Sequence, residues 1–137
     1  MKKKIITTNQ GPAPVAPYNQ AVVANGTVYV SGQIALDPAT GLFPADILTD
    51  IRKETHQVLK NLGAVLEAAN SSFENVLKCT IFMADMKDYA AINEVYAHYF
   101  KPEGSTTNTA PAREAVAVKE LPKSVNVEIS CIALVNE

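Results

Sequence analysis

The sequence predicts an α+β domain: a mixed β-sheet with two helices packed on one face, in the order β-β-β-α-β-α-β-β. Three observations carry this. Twice the apolar residues change from strand-like runs to helical spacing, at 46–70 and at 88–100. Both helical stretches follow strand-like segments, so their connections read as crossovers over one face of a sheet. The chain has 137 residues and no internal repeat, linker or low-complexity segment, which makes residues 1–137 a single domain.

The elements follow in order. GPAPVAPY (11–18) carries three prolines in eight residues and predicts an extended, non-helical lead-in. AVVA (21–24), Asn25-Gly26 and TVYVSG (27–32) predict a hairpin, because Asn-Gly supplies two positions with φ > 0. GQIALDPATG carries the strand on to a turn at Asp37-Pro38 and Gly41. From Asp46 to about Asn70, Ile47, Ile51, Val58, Leu59, Leu62, Val65, Leu66 and Ala69 fall at helical spacing with charges between them. NVLKCTIFMAD (75–85) is β-branched and aromatic, a strand. DYAAINEVYAHYF (88–100) is a second helix with Ile92, Val95, Tyr96, Tyr99 and Phe100 in one stripe, and KPEGSTTNTA (101–110) a polar loop. REAVAVKEL and VNVEISCIALV predict two strands joined by a tight turn at Pro122-Lys123-Ser124. The last strand is apolar on both sides, with Val127, Ile129, Cys131 and Ala133 on one and Ile132 and Leu134 on the other. Helices cover only one face, so the second is expected to be covered by another copy of the chain.

Composition narrows the function. The chain is 47% hydrophobic and 19% charged, with a net charge of −2, and its pI is about 5.7. That balance argues against a nucleic-acid protein, which shows a basic patch. MKKKIITTNQ starts basic but has no apolar core of a signal peptide, and no apolar run reaches the ~20 residues that span a bilayer. The expectation is a cytoplasmic protein with reduced thiols. Cys79 and Cys131 lie in apolar strands and read as buried thiols. His56 and His98 fall on different helices with no partner at ligand spacing, so no metal site is expected. Neither phosphate-loop motif is present, and Ser31 lacks the G-x-S-x-G of a hydrolase elbow.

Two charges stand out. Arg113 follows Pro111-Ala112 at the head of an apolar strand, and Glu128 lies between Val127 and Ile129. A guanidinium held so stiffly offers a planar fork to a carboxylate, yet a snorkelling surface arginine or a structural ion pair has the same pattern. Glu128 reads equally as an edge-strand carboxylate or a partner of Lys119 or Arg113.

The surrounding stretch carries more. P-A-R-x-x-V-x-V-K-x-L-P-x-x-V-x-V-E-I (111–129) resembles the signature of the RidA/YjgF family, the reactive intermediate (enamine/imine) deaminases, which also carry the labels endoribonuclease L-PSP and translation inhibitor. APYNQAV (16–22), VYVSGQIALDPATG (28–41) and KCTIFMADMKDYAAINEVYAHYF (78–100) are similar to three more family stretches, in the expected order over almost the whole chain.

The resemblance implies a chorismate-mutase-like subunit, a homotrimer with a pocket at each subunit interface, and no cofactor or metal. It implies hydrolysis of 2-aminoacrylate, 2-iminobutyrate and 2-iminopropanoate to 2-keto acids and ammonia. Arg113 would grip the substrate carboxylate, with the backbone N–H of Gly32 as a further donor. Glu128 would hold the attacking water, kept ionised by a nearby arginine. Tyr18 would stand near the imine, and Ser31 and Asn93 would line the pocket. Two departures bear on substrate range. Where many deaminase-active relatives carry Ser-Cys-Val after the arginine, this chain has Glu114-Ala115-Val116, so Ala115 takes the place of the pocket cysteine. The 101–110 loop also looks longer than its family counterpart and lacks the aromatic residue often found before Pro-Ala-Arg. Two rival functions remain: a non-catalytic protein that binds keto acids or other small carboxylates, and a ribonuclease or translation inhibitor, which the acidic pI disfavours.

Overall fold

The computed structural model describes residues 2–136. Six strands form one sheet: β1 (Lys4–Ile6), β2 (Ala21–Ala24), β3 (Thr27–Gln33), β4 (Val76–Met83), β5 (Ala112–Ala117) and β6 (Val127–Leu134). Their spatial order is β1-β2-β3-β6-β4-β5. All neighbours are antiparallel except β4 and β5, which are parallel and bracket helix α2 (Tyr89–Phe100) in sequence. Helix α1 (Ile51–Ala68) packs beside α2 and against β3 and β6. The element order is the one the sequence predicts.

Local chemistry sets the boundaries. Asn25 and Gly26 take φ of 53° and 73°, which closes the β2–β3 hairpin at two residues. The Asp50 side chain accepts from the backbone N–H groups of Arg52 and Lys53, capping α1. The helix therefore starts at Ile51, and Ile47–Thr49 form a separate 3-10 turn. Asn70, at φ 58°, reverses the chain after α1. The apolar stripe of α1, Val58, Leu59, Leu62, Val65 and Leu66, is buried against Val28, Val30, Ile81, Ile129 and Ala133. Glu54, fully buried on the same helix, accepts from the backbone N–H of Asn126 at 2.8 Å and from its side-chain amide at 2.7 Å, which pins the chain entering β6.

Three details depart from the sequence reading. The first strand is Lys4–Ile6, whose short run carried no signal; it exists because β2 offers it an edge. The strand through Ser31 stops at Gln33 after an irregularity between Val30 and Gln33, and Ile34, Ala35 and Leu36 leave the ladder as buried chain. The turn at 122–124 is present, but β5 and β6 do not form a hairpin. Each pairs with β4, which lies between them, so the turn serves a crossing connection.

The helix-free face of the sheet is apolar. Ile5, Tyr29, Val116 and Leu134 are between 42% and 48% exposed there, with half-buried Val22, Phe82 and Ile132 among them. No helix among the described residues is long and apolar enough to cross a membrane.

Candidate active site

The predicted site residues fall into two groups. The first surrounds a cavity of about 370 Å³ lined by Val15, Ala16, Tyr18, Ser31, Gly32, Ile34, Pro122 and Glu128. The proline-rich segment wraps over this cavity, and buried Gln20 holds it there. The Gln20 side chain accepts from Thr8 N–H at 2.8 Å and donates to the carbonyls of Thr8 and Pro12, both at 2.9 Å. Backbone of that segment would otherwise lack partners, since three of its residues are prolines and form no ladder. Tyr18 is 43% exposed and lines the cavity, its hydroxyl accepting from Val15 N–H at 3.4 Å. Ser31 sits beneath it, fixed by its N–H to the carbonyl of Gln20 at 3.0 Å and its hydroxyl to the carbonyl of Asn19.

Gly32 is glycine for a steric reason. A Cβ there would stand 2.8 Å from the carboxyl carbon of Glu128. The absent side chain thus makes room for the Glu128 carboxylate to lie against β3. Burial raises the pKa of Glu128 above the ordinary 4.5. Among the described residues no cation forms an ion pair with it. Within one chain Arg113 does not adjoin Glu128, and Lys119 does not pair with it, so neither structural pairing weighed from the sequence is made there.

The second group is centred on Arg113. Its Nη1 donates to Asn93 Oδ1 at 2.8 Å and its Nη2 to the Tyr89 hydroxyl at 3.1 Å. Its guanidinium carbon lies 4.8 Å from the centre of the Tyr96 ring. All three partners come from α2, and the spacing 89, 93, 96 puts them on one stripe of that helix. Ala115 lies two residues on from Arg113 on the same side of β5 and packs on the core. The exposed 101–110 loop leads directly into this strand. Sequence reasoning named Asn93 but assigned Tyr96 only to the core stripe and passed over Tyr89 and Gln20. Their signals were present: 89 and 96 are four before and three after Asn93, and Gln20 stands inside the APYNQAV stretch.

Strand register explains the separation. Arg113 pairs with Cys79 and Glu128 with Phe82, both on β4. Positions 79 and 82 alternate, so the two side chains leave opposite faces of the sheet. They are also separated by roughly 10 Å across two strand spacings and roughly 10 Å along the strands. No small ligand bridges them within one chain.

The remaining titratable groups stand apart. Burial pushes the Cys79 thiol up to about 12 and raises Cys131 further, as inert core thiols require. His56 Nδ1 lies 3.2 Å from the Tyr99 hydroxyl and its ring 5.9 Å from that of His98, on the α1–α2 surface. Among the described residues no three His, Cys, Asp or Glu gather as metal ligands do.

A small α+β domain with a clamped arginine and a glutamate-lined cavity has well-known counterparts. The family model described as endoribonuclease L-PSP matches residues 8–135. A "RutC family protein" of Synechocystis is 50% identical, covering 98% of each chain. A mouse protein named 2-iminobutanoate/2-iminopropanoate deaminase is 43% identical over 96% of this chain and 91% of its own. The crystal structure of E. coli TdcF with bound serine superposes with a TM-score of 0.85 at 38% identity, covering 97% of this chain and 99% of that one. The chain belongs to the RidA/YjgF/L-PSP (RutC) family.

Proposed function

We propose that the protein is a deaminase that hydrolyses 2-iminobutanoate and 2-iminopropanoate, and the 2-aminoacrylate that tautomerises to the latter, in pockets between the subunits of a homotrimer. One observation carries the reading. Arg113 and Glu128 sit on opposite faces of one chain's sheet, so a pocket that uses both must combine them from two chains. The exposed apolar face beside Glu128 is the surface such an assembly would bury. Relatives about 40% identical that bear the deaminase name support the choice of substrate.

In this pocket Arg113 of one subunit holds the substrate carboxylate through its fork. The Gly32 N–H of the next subunit donates to the same group, with Tyr18 and Ser31 around the nitrogen end. Glu128 holds a water against the C2 carbon. The protonated imine is already electrophilic, so positioning that water accounts for much of the catalysis. As the C–O bond forms, the C=N electron pair moves to nitrogen and Glu128 accepts a proton from the water. Glu128 then returns the proton to the amine nitrogen of the carbinolamine; as the C–N bond breaks the hydroxyl oxygen forms the C=O, its proton passes to Glu128 and on to the departing ammonia, and the keto acid and ammonium leave. A carboxylate with a raised pKa suits these proton transfers.

The test couples the purified protein to a serine/threonine dehydratase and follows keto-acid and ammonia release. Faster release with the protein than without it supports the reading; an unchanged rate overturns it. One observation favours a second reading, a keto-acid or amino-acid binding protein without turnover: a relative of known structure holds serine. Binding of 2-oxobutanoate with no rate effect would establish that alternative.

A further inference from the structure

The Arg113 guanidinium is restrained on three sides before any ligand arrives. Asn93 Oδ1 takes an N–H of Nη1, the Tyr89 oxygen takes an N–H of Nη2, and the guanidinium carbon sits over the Tyr96 ring, 4.8 Å from its centre. Five N–H donors minus these two leaves three for a ligand, and a bidentate carboxylate needs two. An arginine side chain carries about 2 kcal/mol of rotamer entropy, so a fork already fixed at both nitrogens loses less on binding.

The contributions of the three partners differ. The Tyr96 ring is buried and gives the guanidinium an aromatic face, with no hydrogen bond to hold either nitrogen. Asn93 fixes one nitrogen, and a planar group hydrogen-bonded at one nitrogen still rocks in its plane. Tyr89 fixes the second nitrogen and removes that motion. Its ring lies at the start of α2, 39% exposed, so no packing requirement accounts for a hydroxyl there. The Tyr89 oxygen makes no other hydrogen bond among the described residues.

We propose that Tyr89 is a positioning residue for carboxylate recognition: its hydroxyl fixes the in-plane orientation of the Arg113 fork and so sets the preference for ligands bearing a carboxylate. This deepens the deaminase reading and rests on it for the identity of the ligand.

Tyr89→Phe keeps the ring and removes the one hydrogen bond. Two measurements test it. In calorimetry, 2-oxobutanoate is compared with its uncharged amide, 2-oxobutanamide. Removal of an aligning hydrogen bond to a charged group should weaken 2-oxobutanoate about three- to tenfold and leave the amide unchanged. Equal weakening of both, or of neither, overturns the positioning role. The second measurement needs no ligand. The chain holds only two arginines, Arg52 and Arg113, so their side-chain 15N signals are separable and Arg113→Lys assigns them. Rotation about the Cζ–Nη2 bond of Arg113 should be faster in Tyr89→Phe than in the wild type, with Arg52 unaffected. Unchanged rotation refutes the inference even if 2-oxobutanoate binds. Absence of 2-oxobutanoate binding to the wild type, with the rotation change present, overturns the carboxylate-recognition role and leaves the Tyr89–Arg113 restraint standing, while the dehydratase-coupled rate decides the deaminase reading separately.

Discussion

A mixture of two crippled chains should regain activity. Glu128→Gln removes the base that holds the water, and Arg113→Lys removes the carboxylate fork; both keep side-chain size and leave the apolar sheet face intact. The two residues lie on opposite faces of the sheet, and the cavity around Glu128 does not include Arg113. A pocket between subunits then takes Arg113 from one chain and Glu128 from its neighbour. In a cyclic trimer each interface is head-to-tail, so every chain contributes its arginine to one pocket and its glutamate to another. When the variants are unfolded together at equal amounts and refolded, about one pocket in four draws both intact residues, given the head-to-tail interface. The mixture should reach about a quarter of wild-type activity, provided each parent is reduced tenfold or more by losses of ~1.5–3 kcal/mol. The assay is keto-acid release in the dehydratase-coupled system, with mass measured by light scattering. Activity no higher than the average of the separately refolded parents would place both residues in one chain's pocket. A monomer at micromolar concentration would remove the assembly altogether.

Other outcomes follow from the same geometry. Arg113→Lys alone should lower turnover roughly ten- to a hundredfold; a thermal melt close to wild type and full activity together would exclude the carboxylate role. Gly32→Ala places a methyl 2.8 Å from the Glu128 carboxyl carbon, and the carboxylate end can swing aside, so activity should fall at least about tenfold while Tm stays within about 4 °C. A large loss of Tm with normal specific activity would mean that Gly32 serves only packing. The pH dependence has a definite sign. Burial raises the folded-state pKa of Glu128 above 4.5, so the acid limb of kcat/KM should lie above that value and vanish in Glu128→Gln. The folded state also binds the proton more readily than the unfolded one in that window. This contribution to stability is present at low pH and lost as pH rises through the folded value, so Glu128→Gln should be the more stable protein at pH 7, with the gap closing toward pH 4.5. A gap that widens on acidification would show that the carboxylate is stabilised, not desolvated, by its surroundings.

What the chain's own order of residues determined is local. Asn25-Gly26 specifies a two-residue turn whatever surrounds it, because φ > 0 is a property of those residues. The stripe from Val58 to Leu66 specifies a buried helix face, because 3.6-residue periodicity survives any tertiary context that offers a core. Arg113 and Glu128 were visible as charges out of place in apolar strands, and the apolar second face was visible in the alternation of β6. The tertiary structure decided what depends on pairing. Strand β1 exists only because β2 leaves an edge for it. Strand β4 enters between β5 and β6, and that register sends Arg113 and Glu128 to opposite faces, where adjacency in sequence had placed them in one motif. The same packing brings Tyr89 to the Arg113 fork and leaves Glu128 without a cation from its own chain among the described residues, so that within one chain burial sets its pKa direction. Side-chain direction along a strand follows from residue parity, but which parities meet is fixed only when strands that lie far apart in the chain find their partners.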